Sequence, residues 1–286
     1  MKQIVICTNP ARDVRFAVTR QLCALLRAGG AEPFVCVLSA APFPETVPED
    51  LPACTTGEGF ADAELAISVG GDGTLLHTAR HASDAGIPVL GVNMGTKGFL
   101  TEIERNALTD VRRVLEGNFE LDRRMMLDVR LERDGETVFS DFALNDAMVG
   151  GIGRVVPLTV YGDGGRILTF SGDGVVVATP TGSTAYSMSA GGPIVEPGAA
   201  AILVTPVCPH ALIAKPCVLA PERLVTVELC ALEGRSAYMS VDGGESVPLS
   251  GNDRIRISRS ARETCLVQLY DQSFYERVSE RLGASM

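Results

Sequence analysis

The 286-residue sequence contains only three lysines, Lys2, Lys97 and Lys215, and none of them stands in a Gly-Lys-Ser or Gly-Lys-Thr step. This absence excludes a P-loop, whose lysine reaches the phosphates of a bound nucleotide. The eight cysteines include no Cys-x-x-Cys pair, and most of them lie in apolar runs. A disulfide framework or a zinc site is therefore disfavoured, and reduced cysteines in a cytoplasmic protein are expected.

Two further absences concern membranes and nucleic acids. The chain opens on a strand-like run without a signal-peptide pattern, and no apolar run approaches the length that spans a membrane. The formal net charge is −10, whereas nucleic acids and anionic membrane surfaces select clustered Lys and Arg. We therefore expect a soluble cytoplasmic protein that binds neither of them, and that attracts anionic ligands only through local groups.

The first third of the chain has an α/β pattern. Residues 4–7 and 34–38 are short apolar runs, and residues 12–27 between them carry apolar residues at helical spacing, which predicts a βαβ unit. Residues 40–60 are rich in proline and irregular, and they are predicted to form a variable loop without a catalytic role.

The most informative stretch is an apolar run, residues 65–69, that is followed by a glycine-rich turn and by helix-forming residues. The turn reads Gly70-Gly71-Asp72-Gly73-Thr74. Strand, turn and helix in this order form the phosphate-binding unit of α/β proteins, because the free N–H groups at the start of the helix attract anions. Asp72 would repel a phosphate unless it holds a divalent cation or takes a proton from a hydroxyl, so the turn predicts a phosphoryl-transfer site. An ordinary surface turn is the alternative.

A second glycine-rich loop follows the next predicted strand. Residues 87–92 form that strand, and residues 93–100 form its outgoing loop. Loops at the carboxyl ends of neighbouring parallel strands meet at one edge of the sheet. Asn93 and Phe99 are therefore candidates to hydrogen-bond a ligand and to give it an apolar wall. Core packing is the alternative for Phe99.

From residue 101 onwards the sequence consists of short β-type runs separated by glycine turns, which predicts a second, β-rich domain. Residues 107–116 and 274–282 are predicted helices, and the second of these carries Arg277 and Arg281 on its polar face.

Three polar stretches interrupt the β-rich part. Asn145 beside Asp146 suits the two hydroxyls of a ribose, although such pairs also form Asx turns. Residues 171–174 read Ser-Gly-Asp-Gly. Residues 179–193 carry six serines and threonines and three glycines after a strand, which favours a nucleotide site in which Tyr186 stacks on a base. Tight packing of a small-residue helix on a sheet is the alternative.

Taken in order, these motifs resemble those of the NAD kinase family over nearly the whole chain. The resemblance also includes Gly91-Val92-Asn93, Gly98-Phe99-Leu100, Pro209-His210 and Lys215-Pro216. It implies phosphorylation of the 2′-hydroxyl of the adenosine ribose of NAD by ATP, giving NADP, with Mg²⁺ or another divalent metal accompanying ATP. It also implies a homodimer or homotetramer.

The same resemblance implies the fold. An α/β, Rossmann-like N-terminal domain, residues 1–100, is followed by a β-sandwich domain, residues 101–270. The C-terminal tail, residues 271–286, returns to the first domain, and the site lies in the cleft.

Carried over by position, Asp72 becomes the acid/base residue at the 2′-hydroxyl, with Mg²⁺ expected near it. His77 corresponds to a phosphate-binding position, and Asp173 contacts the nicotinamide end. Asn145 and Asp146 hold the ribose diol, where the family more often has Glu at the second position. The implied ligand contacts are Gly71, Gly73, Thr74, His77, Asn93, Phe99, Asn145, Asp146, Arg154, Asp173, Thr184, Ala185, Tyr186, Ser187 and Ser189.

Two rival functions are open to the same residues. A lipid or sugar-phosphate kinase could use the same turn, but the hydroxyl-rich segment does not suit the apolar cavity that an acyl chain needs. An NAD-sensing protein without activity is the second rival, and a carboxylate at a phosphate site disfavours it, because binding alone is better served by a neutral residue.

Overall fold

The computed structural model describes residues 2–38, 46–95, 98–230 and 232–283. The chain divides into two compact units, one formed by the residues up to Arg123 and from Thr264, the other by Arg124–Glu263. The predicted limits were residues 101 and 270. The first unit extends further because Val111 and Val114 are buried in its core. Among the described residues, no helix is long and apolar enough to cross a membrane.

The helices and strands are as follows. The helices are α1 (Ala17–Ala28), α2 (Thr56–Ala61), α3 (Asp72–Ala85), α4 (Val111–Leu115), α5 (Tyr186–Ser189) and α6 (Phe274–Gly283), with short 3-10 helices at Val14–Phe16, Leu108–Asp110 and Thr181–Thr184. The strands are β1 (Gln3–Thr8), β2 (Glu32–Val37), β3 (Leu65–Gly70), β4 (Val89–Asn93), β5 (Ile103–Glu104), β6 (Glu120–Arg133), β7 (Glu136–Ala143), β8 (Asp146–Gly151), β9 (Val156–Gly162), β10 (Gly165–Gly172), β11 (Gly174–Ala178), β12 (Ile202–Val207), β13 (Cys217–Leu219), β14 (Val225–Leu229), β15 (Ala237–Val241), β16 (Val247–Leu249) and β17 (Arg254–Gln268).

A parallel sheet forms the centre of the first unit. Its strands lie in the order β2-β1-β3-β4, and Ile67 of β3 is paired with Ile6 of β1 and Leu90 of β4. Every residue of β3 is buried, as expected for a continuous apolar run in a parallel sheet. The loops that follow β1, β3 and β4 therefore leave the same edge of the sheet, and the predicted βαβ opening is confirmed.

The first helix starts later than the sequence predicted. The predicted helix began at residue 12, whereas α1 begins at Ala17 because Arg15 and Phe16 have positive φ angles of 58° and 55°. The buried Asp13 explains the bend. Its carboxylate accepts hydrogen bonds from the backbone N–H groups of Val18 (2.9 Å) and Thr19 (3.0 Å), which are unpaired donors of the first turn.

The predicted loop at residues 40–60 is only partly a loop. Residues 39–45 lie outside the described residues, but Thr56–Ala61 form helix α2. Thr55 and Glu58 make a capping box, in which each side chain accepts from the backbone N–H of the other residue. This local signal overrides the irregular composition of the segment.

The second unit is the predicted β-sandwich. One of its antiparallel sheets has the strand order β13-β12-β11-β8-β15-β16, and the other contains β10-β9-β14-β17. Alternate residues of β8, among them Ala147 and Val149, belong to the main core together with residues of β9, β14 and β17. Met148 points to the opposite face, where it packs with Val176 and the chain that follows β11. The predicted architecture of an α/β domain followed by a sandwich, with a C-terminal tail that belongs to the first unit, is confirmed.

Candidate active site

The glycine-rich turn of the first unit connects β3 to α3. Gly71 precedes the helix, and Asp72 is its first residue. A methyl group built on Gly70 would lie 2.2 Å from the Thr74 hydroxyl, so only glycine allows the helix to begin so close to the strand. The backbone N–H of Met94 donates to the Gly70 carbonyl at 2.7 Å, which brings the loop after β4 against the turn. Two glycine-rich loops thus meet, as the sequence predicted.

The Asp72 carboxylate fastens these two loops together. Its oxygens accept hydrogen bonds from the backbone N–H groups of Phe99 (2.7 Å) and Leu100 (3.1 Å). A methyl group on Gly98 would lie 2.2 Å from Oδ1 of Asp72, so this approach needs glycine. Because each carboxylate oxygen has two lone pairs, Asp72 keeps acceptor capacity for a hydroxyl or a cation while it holds the loop. Backbone donors therefore fix the position of the carboxylate.

Three other predicted residues of this unit have different surroundings. Asn93 is 2% exposed, and its amide donates to the Glu104 carboxylate at 3.2 Å and accepts from the N–H of Gly95 at 3.1 Å. Its side chain therefore holds the loop and is not open to a ligand. Phe99 is partly buried, and His77 is exposed on α3. Thr96 and Lys97 of the same loop lie outside the described residues.

Arg12 is a residue of this site that the sequence prediction missed. It follows β1, and its guanidinium lies beside both glycine-rich loops. A methyl group built on Gly95 would be 2.3 Å from Nη1 of Arg12, and one on Gly71 would be 3.4 Å from it. The signal was the position of Arg12 in the loop after β1, the strand next to β3. A positive charge thus lies at the turn in a chain whose net charge is −10.

The Asn145–Asp146 pair of the second unit is held from two sides. The Asp242 carboxylate accepts from the backbone N–H groups of Leu144 (2.8 Å), Asn145 (2.8 Å) and Asp146 (3.0 Å). From the other side, the backbone N–H of Thr179 donates to the Asn145 carbonyl at 2.8 Å. The pair is therefore a rigid corner. The part that Asp242 plays in holding this corner was not predicted from the sequence.

Asp146 itself is buried in a way that changes its protonation. Its exposed fraction is 7%, and it lies next to the Asp242 carboxylate. Burial, followed by the charge of Asp242, raises the pKa of Asp146 from 3.8 to about 7. Near neutral pH the carboxyl group therefore exists in both forms, as a donor when protonated and as an acceptor when ionised.

The hydroxyl-rich segment packs directly on this corner. A methyl group on Gly182 would lie 2.1 Å from the Asn145 carbonyl oxygen, so glycine permits the contact. Ser187 is fully buried and shares a hydrogen bond of 2.8 Å with Thr205, which gives its side chain a packing role. Thr184 and Ala185 are partly exposed and Ser189 is exposed, so these residues remain accessible to a ligand.

Tyr186 is the first residue of the short helix α5 in the hydroxyl-rich segment. Its ring is 43% exposed, and its pKa is raised first by burial and then by nearby groups that include Asp173 and Asp146. Asp173 immediately precedes β11, five residues before Ala178, which is the pairing partner of Asp146, so the two acids are separated by roughly 17 Å along the extended strand. Arg154 is exposed on the turn after β8, at the end of that strand remote from Asp146. The structure does not bring Arg154 to the Asn145–Asp146 corner.

The acidic side chains of the two units are the candidate ligands for a metal ion. Within the described ranges, no group of three or more His, Cys, Asp or Glu side chains could hold a metal ion. Mg²⁺ is commonly bound through one or two carboxylates together with substrate phosphates and water. Asp72 fits that arrangement as a single protein ligand, so a divalent cation would enter with the nucleotide phosphates and not in a site of its own.

Solved structures show the class of protein that this fold defines. The structure is similar to that of yeast NADH kinase complexed with NADH, with a TM-score of 0.81 and 25% sequence identity. The match covers 99% of this chain and 88% of the yeast chain. A second similar fold is that of an NAD kinase from Archaeoglobus fulgidus in complex with ATP, with a TM-score of 0.73 over 98% of this chain and 99% of the other at 22% identity. The fold and its glycine-rich carboxylate turn are those of a nucleotide kinase.

Sequence comparisons name the family within that class. Residues 46–119 match the ATP-NAD kinase N-terminal domain, and residues 146–269 match the ATP-NAD kinase C-terminal domain. The NAD kinase of Ruminiclostridium cellulolyticum is 35% identical over 280 residues, 96% of each chain. That of Geobacter sulfurreducens is 39% identical over 239 residues, 82% of this chain and 81% of the relative. The chain belongs to the ATP-NAD kinase family and is a kinase, as the sequence motifs predicted.

Proposed function

We propose that this enzyme uses Asp72 as the acid/base residue that transfers a phosphoryl group from ATP to the 2′-hydroxyl of the adenosine ribose of NAD. The observation that carries the proposal is the fixed carboxylate at the start of α3, held by the N–H groups of Phe99 and Leu100. A carboxylate with spare lone pairs at a phosphate-binding turn can orient a hydroxyl and accept its proton. The product is NADP.

Phosphoryl transfer needs alignment and charge neutralisation more than covalent assistance. The glycine-rich turn, with Gly71, Gly73 and Thr74, offers backbone donors to the phosphates, and the Arg12 guanidinium lies beside it. His77 on the exposed side of α3 is a further phosphate contact. Mg²⁺ or another divalent cation comes with ATP as part of the substrate and reduces the negative charge of the triphosphate.

The second unit is proposed to hold NAD. Asn145 and Asp146 form a rigid corner suited to the two ribose hydroxyls, with the shorter Asp in place of the more usual Glu. Tyr186 has an exposed ring face for the adenine, and Asp173 lies along the same strands towards the nicotinamide end. The accessible residues of the hydroxyl-rich segment are Thr184, Ala185 and Ser189, and we propose that they contact NAD. Ser187 is buried and bonds Thr205, so it stabilises α5.

Three further proposals concern the compartment, the oligomeric state and Arg154. The eight cysteines are free thiols, which suits a reducing cytoplasm. The sandwich has the short terminal strands β13 and β16, and such edges are compatible with a homodimer or homotetramer. We also propose that Arg154 contacts a ligand. It lies after the end of β8 that is remote from Asp146.

One incubation tests the function. The purified 286-residue chain is mixed with NAD, Mg²⁺ and ATP, and the products are separated and identified by phosphorus NMR. We expect a 2′-phosphomonoester on the adenosine ribose. Binding of NAD without any NADP would favour the NAD-sensing protein, and phosphorylation of diacylglycerol or of a sugar phosphate instead would favour the other kinase classes.

A further inference from the structure

The buried side chain of Glu102 anchors the C-terminal helix α6 near the glycine-rich turn of the first unit. Glu102 accepts hydrogen bonds from the backbone N–H groups of Leu269 (2.9 Å) and Tyr270 (3.0 Å), and from Nη2 of Arg277 (3.1 Å). The side chains of Glu102 and Arg277 are 4% and 11% exposed. A buried pair with this many hydrogen bonds fixes a helix in one position.

This anchor places Arg281 next to Asp72. Arg281 lies one helical turn after Arg277, on the same face of α6. Its guanidinium carbon is 4.9 Å from the centre of the Phe99 ring, and the N–H of Phe99 is the one that donates to Asp72 at 2.7 Å. An arginine stacked on an aromatic ring keeps the donors at the edge of its guanidinium plane free for an anion.

One of those donors is buried without a partner. Nη1 of Arg281 has no hydrogen bond among the described residues. The charged groups that face the guanidinium are Arg277 on α6, Asp72 on α3, and Glu102 and Glu104 around β5. Burial, followed by the charge of Arg277, lowers the pKa of Arg281, and the acids raise it, so the guanidinium stays charged. A buried cation with an unused donor is costly unless a ligand completes it.

From this arrangement we propose that Arg281 is a phosphate-binding residue, which donates to the phosphoryl group that ATP transfers. The inference rests on the proposed role of Asp72 in the reaction. The transferred group must lie in line with the hydroxyl that Asp72 orients, so a cation beside Asp72 faces that group and not the remote phosphates of the acceptor. A charge-assisted hydrogen bond from Nη1 would satisfy the buried donor and neutralise the developing charge.

A structural role is the rival explanation, because a cation in the last turn of a helix stabilises that helix, and because Arg281 packs on Phe99. The variants R281M and R281K separate the two roles. Methionine keeps an apolar stem on Phe99 without donors, and lysine keeps the charge. R27Q is the matched control, because Arg27 is an exposed arginine in the last turn of α1.

The experiment measures binding of inorganic tripolyphosphate by calorimetry, together with the KM values for ATP and for NAD and the thermal midpoint of unfolding. We expect R281M to weaken tripolyphosphate binding and raise the KM for ATP by about 10-fold or more, as for the loss of a charged hydrogen bond. The KM for NAD should change less than about threefold, R281K should recover part of the loss, and R27Q should match the wild type.

Two results would overturn the assignment. One is R281M with unchanged tripolyphosphate binding and an unchanged KM for ATP. The other is a loss in R281M that affects ATP and NAD equally and follows a lowered thermal midpoint. Calorimetry needs no turnover, so it tests phosphate binding by Arg281 even if the wild-type protein forms no NADP. A wild-type protein that forms no NADP would refute the proposed function and not the role of Arg281.

Discussion

The Asp242 carboxylate accepts the backbone N–H of Asp146 at 3.0 Å, and its negative charge acts on the buried Asp146 carboxyl group. Three N–H donors compensate the charge of Asp242, whereas Asp146 has little compensation and is 7% exposed. Burial and the neighbouring charge therefore act on Asp146, and two acids of one corner have different tasks. Asp242 holds the corner, and Asp146 is the acid that we propose to contact the ribose.

The first prediction concerns the pH dependence of stability. The pKa of Asp146 is about 7 in the folded chain against 3.8 for the free group. Between these values the unfolded chain binds fewer protons than the folded chain, so the free energy of unfolding falls as the pH rises from about 4 to about 7. The loss is on the order of 4 kcal/mol for this shift.

We expect D146N to remove this dependence, since asparagine carries no charge at any pH. Urea unfolding at pH 4.5 and pH 8 checks it: the variant should be more stable than the wild type at pH 8 and similar to it at pH 4.5. D173N, at an exposed aspartate, is the control and should keep the wild-type slope. An unchanged slope in D146N would show that another group causes the pH dependence.

The second prediction is that D242N weakens NAD binding more than ATP binding. Asp242 has a φ of 49°, a conformation that asparagine tolerates, so the backbone is kept. Asparagine has one acceptor oxygen and cannot serve all three N–H groups, which loosens the Asn145–Asp146 corner. Steady-state kinetics should show a KM for NAD raised about 10-fold, as for one lost charged hydrogen bond.

D163N is the matched control for that variant. Asp163 also has a positive φ, 50°, and also accepts a backbone N–H, that of Leu224, but it lies on an exposed turn. Its KM values should equal those of the wild type. If D242N changed the two KM values in equal proportion, Asp242 would not act on the ribose corner specifically.

The third prediction concerns the contact between the two loops of the first unit. In G98A the new methyl group would lie 2.2 Å from Oδ1 of Asp72 and 2.9 Å from the Thr101 hydroxyl, so the carboxylate must move. We expect kcat to fall at least about 100-fold, because acid/base catalysis depends on position. In G57A, within α2, a methyl group meets nothing within 4 Å, and kcat should be unchanged.

Local signals in the sequence predicted most of the fold. The apolar run before Gly70 and the helix formers after it predicted β3 and α3 correctly, because the strand and helix signals lie within the segment. The start of α1 was missed because the buried Asp13 caps it from outside the helical pattern. Helix α2 was missed although the signal, Thr55 with Glu58, was present, because the prolines before it dominated the interpretation.

The site was predicted less completely for a different physical reason. Asp72, Asn145 and Asp146 lie in motifs that can be read along the chain. Arg12 reaches the glycine-rich turn of the first unit from a distant segment, and Asp242 does the same for the Asn145–Asp146 corner of the second unit, in both cases through the order of strands in a sheet. The use of Asn93 and Ser187 as internal hydrogen-bonding groups follows from burial, which no local pattern showed.

The most direct test of the central claim is the turnover of D72N with saturating NAD and MgATP, read as NADP formed, with NAD affinity measured beside it. Asparagine keeps the size of Asp72 and one acceptor for the loop, but it cannot take a proton from the 2′-hydroxyl. We predict nearly unchanged NAD affinity and a kcat lower by at least about 100-fold. A kcat within a few fold of the wild type would contradict the assignment of Asp72 as the acid/base residue.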